Sequence, residues 1–530
     1  MAIMATDTVK KNKLAVAISI CLATLPSVAG EWEFTPKISL DETYSDNVEL
    51  ANDSEIDSLV SQAALLLDTS YQAQLLTFDL KAKSTYAWYS HDHDLDDDFH
   101  SLASNVRLKL GERGLYLFGS ATIDNQARNS ARNSLADIVS GDLVQVENYV
   151  GGLGYSVTNS DFKIDSSISY STTETEDRIG ERDGYSANIT TSNGSGARTV
   201  FWDAQGSYQD QENNNRTSKM YQSEIKIGVI TAWKFNPFIR YYDEDNEGNL
   251  NQGQITESNS IGAGFRWEVT PRLNMDFSYN EPIGDNLDID GNEQEEYVAV
   301  SVKWQPTIRT NLSASYSQRF FGDSYDFSFT HKNRRLTNTI NYSEQLQTFT
   351  RDNYNFINLG FFWCPNGDTG SIENCYLPSA GDISFDDYQL VNISDYELIE
   401  DNVFSLNKGG SWTSELALPR TTFTFDLRAN EREDLDTRLI DEYLSTSFEI
   451  SRKVGARSTF AFKSSYSERK YQVGSSNERE DRYRTHTITY TKTLNKSLTF
   501  SVDLRHLNRS STSQFNYEEG RVTLKITKDF

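Results

Sequence analysis

The feature that most constrains this chain is a period of two. Again and again, roughly ten residues alternate between apolar and polar, a polar break follows, and the alternation resumes. In "SLTFSVDLRHL", Leu498, Phe500, Val502 and Leu504 share one parity, and Thr499, Ser501, Asp503 and Arg505 share the other. "TTFTFDLRA" sets Phe423, Phe425, Leu427 and Ala429 against Thr424, Asp426 and Arg428. "LLTFDLKAKSTYAWYS" sets Leu76, Phe78, Leu80 and Ala82, with Tyr86 and Trp88 beyond them, against Asp79, Lys81 and Lys83. Successive side chains of an extended strand point to opposite faces, so each run reads as a strand with one apolar and one wet side. The same rule picks out Ile261, Ala263, Phe265 and Trp267; Leu273, Met275, Phe277 and Tyr279; and Val298, Val300, Val302 and Trp304.

Many alternating strands build either a water-soluble sandwich or propeller, or a transmembrane barrel, and the connections separate the two. Here tight turns such as "GERG" at 111–114, "TNSD" at 158–161, "HKNRR" at 331–335 and "TLNKS" at 493–497 alternate with long acidic stretches such as "HDHDLDDDFH" and "DEDNEGNLNQGQITES". That alternation is the asymmetry of outer-membrane barrels, with short periplasmic turns and longer extracellular loops. The fold expected is therefore all-β, a transmembrane antiparallel barrel of about 24 strands, with 22 as the neighbouring even count. A mean hydropathy of -0.59 suits it, because only every second strand residue meets lipid. Past the first thirty residues no run approaches the roughly 20 apolar residues of a membrane helix.

The compartment is written at the N-terminus. Lys10, Lys11 and Lys13 precede the apolar "LAVAISICLATLPS", and "VAG" precedes Glu31, the order of a secretory signal peptide over 1–30 with the barrel occupying 31–530. Cys21 lies within the apolar run and lacks the small-residue setting of a lipoprotein cysteine. A first strand beginning almost at the cleavage site leaves no room for a folded plug, which argues against a plugged, energy-coupled receptor. At the other end, Val522, Leu524, Ile526 and Phe530 share a parity. A terminal aromatic on an alternating strand resembles the signal read by the barrel assembly machinery, so Phe530 is assigned that role and the machinery is an expected partner. The setting expected is a Gram-negative outer membrane, with lipid and lipopolysaccharide around the barrel.

The remaining constellations are weaker. The formal net charge of -27 excludes nucleic acid as a natural partner, since phosphate binding needs basic faces. Cys364 and Cys375 bracket a Gly- and Asn-rich segment of an exported chain, where a local disulfide is expected; they fall in 348–402, read as a long irregular loop, lid or constriction. His91, His93 and His100 stand among aspartates without the fixed spacing of a metal site and read as a solvated loop. Counting from Asn286 as the first position of a calcium loop, the twelfth is Tyr297 where a bidentate Glu is needed. No G-x-S-x-G, phosphate-cradling Gly loop or H-E-x-x-H occurs. No enzyme, cofactor or metal is expected.

The wet faces are the informative surface. By parity, Lys81, Lys83, Arg107, Lys109, Arg266, Asp276, Lys303, Asp426, Arg428, Asp503 and Arg505 line the lumen, giving an interior of mixed charge that leans basic while the loops hold most of the acid. Such a wall reads either as cross-strand ion pairs that order the barrel or as stepped charges for an anionic or hydroxylated solute.

Two segments, "PKISLDETYSDNVELAND" at 36–53 and "THKNRRLTNTINYSEQLQT" at 330–348, resemble corresponding segments of the exopolysaccharide-associated outer-membrane β-barrel family linked to PEP-CTERM and exosortase systems. The resemblance implies a conduit for exopolysaccharide export or assembly, working with periplasmic polysaccharide-export proteins, and it carries no catalytic or binding residues. The rival expectations are a structural or adhesive surface barrel with a closed lumen, and a general porin for small solutes.

Overall fold

The computed structural model describes residues 30–530 apart from 53–54, 129–132, 134–135, 142, 214–215, 251–256, 285–286, 349, 366–387, 402 and 513–515. The expected leader lies outside the described residues except for Gly30, which opens the first strand, Gly30–Ser45. Twenty-four strands form one antiparallel sheet that closes on itself. The first strand pairs with Ser58–Ala73 on one side and with Tyr517–Asp529 on the other, along a seam that runs from Lys37 opposite Asp529 to Ser45 opposite Arg521. Closure leaves no row of unpaired backbone groups, as a medium without water requires. The count is thus the larger of the two expected.

Each short turn anticipated from the sequence joins neighbouring strands at one end. Residues 110–114 link Asp97–Lys109 to Leu115–Ala127, 159–161 link Leu143–Thr158 to Phe162–Thr175, and 333–335 link Gly322–Lys332 to Leu336–Gln347. In the first of these Gly114 has φ of +86°, and a Cβ there would lie 2.4 Å from the Ser156 carbonyl oxygen, so the turn needs a glycine twice over. The segment 348–402 departs from the expected irregular loop. Strands Thr350–Pro365 and Tyr388–Asp401 pair as a separate two-stranded sheet, and the barrel bypasses them by pairing Leu336–Gln347 with Ser405–Ala417.

The outward faces carry the apolar rows read from the sequence, with Ile38, Leu40, Leu65, Val106, Leu117, Ile168, Ile239, Leu504 and Leu524 all exposed on the barrel surface. Aromatics flank the rows unequally. Trp32, Phe34, Phe235, Trp304 and Phe460 stand toward the short-turn end, while Tyr86, Tyr185, Tyr208, Tyr241 and Tyr279 stand toward the long-loop end. Several tyrosines there donate to a carboxylate two residues further on, Tyr208 to Asp210 and Tyr241 to Asp243, each at 3.2 Å. An amphipathic ring with its hydroxyl pulled toward the loops suits a lipid–water boundary.

The ring is not round. A circular sheet of 24 strands at about 4.8 Å spacing and about 40° tilt has a backbone diameter of about 48 Å, which puts strands four apart about 24 Å from each other. Yet Arg319, on Thr310–Arg319, forms an ion pair with Glu244, on Phe235–Gly248, four strands away. Two side chains do not span such a chord, so the wall folds sharply between these strands. Further along, the Thr348 hydroxyl donates to Gln211 at 3.1 Å across eight strand positions. Met220 packs against a buried cluster of Leu250, Phe320, Phe404, Leu406 and Leu435. The long-loop end is therefore drawn together by wall and loops that meet over the interior.

Candidate functional site

Among the ion-paired groups of the described residues, one lies at the sharp fold of the wall and one at the seam. At the fold, Arg240 donates through Nε to Glu224 at 2.6 Å and through Nη1 to Asn280 at 3.1 Å and to the Tyr297 hydroxyl at 3.0 Å. Arg266 grips Asp276 with two parallel hydrogen bonds of 2.7 and 2.8 Å, the geometry in which a guanidinium holds a carboxylate most tightly. Lys226 lies 3.5 Å from Glu224 and 3.6 Å from Asp276, and so ties the two pairs together. Alternating charges on neighbouring strands let a buried group of this kind persist, because each ion has a partner in place of the water it lost.

At the seam, the segment 136–141 of the connection after Leu115–Ala127 turns inward. Its apolar residues Ile138 and Val139 pack with Val48, Val60, Ala87, Tyr89 and Phe99, and the Tyr89 hydroxyl donates to the Ile138 carbonyl. Asp137 accepts from Ser140 N–H at 3.1 Å and caps the short 3-10 turn Ile138–Ser140. Its Oδ2 then receives Arg521 Nη1 at 2.7 Å and Arg505 Nη1 at 3.1 Å. Burial by itself pushes the Asp137 carboxyl up, but the two guanidiniums and the capping hydrogen bonds outweigh it and hold the group below the ordinary carboxylate range. Under this loop is a cavity of about 440 Å³ whose lining includes Asp41, Thr43, Gln62, Asn125, Arg505 and Arg521.

The residues selected by parity separate into those brought together and those left apart. Arg266 with Asp276 and Arg505 with Asp137 are in the two groups just described. Asp426 accepts from the Thr413 hydroxyl at 2.8 Å and Asp503 from Thr489 at 2.5 Å. The Arg107 guanidinium lies over the Tyr116 ring at 3.6 Å. Lys81 is opposite Asp68 and Ala103, Lys83 opposite Leu66 and Ser101, Lys109 opposite Tyr116, Lys303 opposite Asn274 and Ser313, and Arg428 opposite Ser411 and Ser445. Phe530 is exposed, with its N–H donating to the Pro36 carbonyl at 3.0 Å. The disulfide expected between Cys364 and Cys375 falls outside the described residues.

Sequence reasoning missed Arg240, Glu224, Glu244, Asp137 and Arg521. The one signal for Asp137 was the apolar pair Ile138 and Val139 inside a polar connection, a sign that the segment packs inward. The histidines take separate partners: His91 bonds Ser58 at 2.8 Å, His93 pairs with Asp96 at 3.3 Å and His100 with Asp98 at 2.9 Å. Among the described residues, no three His, Cys, Asp or Glu side chains gather as metal ligands. Asp288 uses its carboxylate within its own turn, where Oδ1 accepts the N–H groups of Asp290 and Asn292 at 2.9 and 2.8 Å.

A closed antiparallel barrel with an apolar belt, aromatic borders and loops of unequal length at its two ends is an integral protein of the Gram-negative outer membrane, seated in lipid and lipopolysaccharide. No protein-family model matches the chain, and no curated protein matches its sequence. Solved structures share the fold at low identity. The siderophore receptor PirA from Pseudomonas aeruginosa is 9% identical over 96% of this chain and 81% of its own, with a TM-score of 0.37. The ferric enterobactin receptor PfeA from the same organism gives 8%, 94%, 81% and 0.41, and the FrpB iron transporter from Neisseria meningitidis 9%, 94%, 83% and 0.43. These neighbours are transport receptors, not enzymes, and the likeness is one of fold. They correct the sequence expectation: the proteins found are siderophore and iron receptors, not polysaccharide exporters, adhesins or general porins. The exopolysaccharide conduit, its periplasmic export partners and the general porin are not retained. The cargo expectation rested on the resemblance of segments 36–53 and 330–348, while alternation specifies the wall of a barrel and is silent about its cargo.

Proposed function

We propose that the protein is a receptor-type outer-membrane transporter, which captures a particular solute at its gathered outer end and passes it along a charged interior. The observation that carries this reading is the inward convergence of wall and loops, seen in the Asp137 contact with Arg505 and Arg521 and in the cluster around Phe320. Loops packed over the interior restrict entry, and a selective carrier needs a surface there that rearranges around its ligand. No catalytic role is assigned to any residue. Ferric siderophores, the ligands named for the neighbours of similar fold, are the first solutes to test, and a TonB-type periplasmic partner is the energy source to test with them.

The experiment is reconstitution of the full chain in a planar bilayer and in liposomes. Expected are a small resting conductance and uptake of one solute class well above that of neutral sugars of similar size. A large, steady conductance that admits every small solute alike overturns the proposal.

A further inference from the structure

Arg505 and Arg521 are register partners on adjacent strands, directly opposite each other on the inner face. Directly opposed side chains have Cβ atoms about 5 Å apart, and like charges there destabilise a sheet. Opposed arginines are stable where an anion sits between them, and here that anion is Asp137, delivered by a connection that starts five strands from that of Arg521 and six from that of Arg505. Arg521 has a second carboxylate in Glu519 and a hydroxyl in Ser140. Arg505 borders two cavities, the 440 Å³ one under the loop and another of about 310 Å³ lined by Glu449, Lys463 and the threonines 485, 487 and 489.

From this we infer that the Arg505–Arg521 pair is a recognition site for an anionic solute bearing carboxylate or phosphate oxygens, filled in the resting barrel by the chain's own Asp137. The inference rests on the transporter reading and names its solute class. Two guanidiniums in a fixed relation suit planar or tetrahedral oxyanions through paired hydrogen bonds. Hydroxyls and amides of Thr43, Thr523, Gln62 and Asn125 line the same cavity with the carboxylates of Asp41, Asp124 and Asp503, so an anion is held only where it sits directly on the two arginines. When an incoming anion takes the arginines, Asp137 loses both charge partners and the turn at 136–141 loses its anchor to the last strands, so binding and release of that turn are one event. The competition reduces apparent affinity to the intrinsic affinity multiplied by the fraction of time that Asp137 is away.

The test is titration calorimetry with citrate and with inorganic phosphate on the full chain in detergent, folding being verified by heat-modifiable gel mobility. Asp137→Asn removes the competitor and is expected to tighten citrate binding about tenfold, the amount carried by roughly one charge-assisted hydrogen bond. Arg505→Gln is expected to weaken it at least tenfold, and a neutral sugar is expected to show no difference among the three proteins. Citrate affinity unchanged by both substitutions, or no binding of either anion by folded Asp137→Asn, overturns the site. Uptake in liposomes separates this result from the transporter reading. A protein that binds citrate through Arg505 but moves no solute keeps the site and loses that reading. One that moves solute with equal citrate affinity in all three forms does the reverse.

Discussion

Truncating Phe320 tests whether the outer end is held by a single apolar unit. Phe320 is fully buried against Leu250, Phe404, Leu406 and Leu435, and meets Phe321 edge-on at a centroid distance of 5.2 Å. Phe320→Ala removes a ring and leaves a cavity, a combination that costs about 3–5 kcal/mol in a packed core. The lower figure corresponds to a roughly hundredfold shift in an opening equilibrium. Two backbone hydrogen bonds report on that opening locally: the Ile289 N–H donates to the Phe320 carbonyl at 2.9 Å and the Leu435 N–H to the Phe404 carbonyl at 3.0 Å. The assay is amide hydrogen exchange on the folded barrel. Exchange at Ile289 and Leu435 is expected to rise by about two orders of magnitude while wall amides such as that of Ile239 stay protected. Unchanged protection at both loop amides, or an equal loss along the wall, refutes the reasoning.

Other perturbations give separable outcomes. Arg266→Leu and Asp276→Asn, alone and together, are expected to show a coupling of about 1–3 kcal/mol in urea unfolding, as fits a bidentate pair; additive effects would deny it. Asp137 has a depressed carboxyl pKa, so its hold on the loop is complete above its unfolded pKa of about 4 and is lost only as pH falls through its own lower value. Resting conductance is therefore expected to stay flat from pH 8 to 5 and to change only in strong acid, while a midpoint near neutrality would assign the loop to another group. Gly114→Ala is expected to cost about 1 kcal/mol or more, through its positive φ and its approach to Ser156, and is read as a lower urea midpoint of the folded barrel.

Much of the wall was legible because a barrel repeats one physical rule in every strand. Parity put Arg266 and Asp276 on the wet face, but the turn at 271–272 alone would set Arg266 opposite Phe277, and a one-residue register shift between Glu268 and Thr270 is what brings it opposite Asp276. Arg240 obeys the same parity, but its contact with Ser317 depends on how sharply the sheet bends, and curvature is a sum over many strands with no local signature. Asp137 was hidden for another reason. Its partners are 368 and 384 residues away in sequence, and a polar connection has no period from which to read a direction. Cargo lay further out of reach, since strands of identical pattern enclose interiors of any chemistry.

The seam between the first and last strands has a kinetic consequence. Most neighbouring strands of the wall close over a short stretch of chain, the pair flanking 348–404 excepted, whereas Lys37 finds Asp529 only after every strand between them has been placed. Ordering of local contacts is fast and closure of so long a loop is slow, so the nascent sheet keeps two sticky edges for most of its assembly. During that interval the edge of Gly30–Ser45 accepts any passing strand, including one from another copy. Until Tyr517–Asp529 arrives, those edges are the part of the chain most open to mispairing, and the seam protects the finished barrel by removing them.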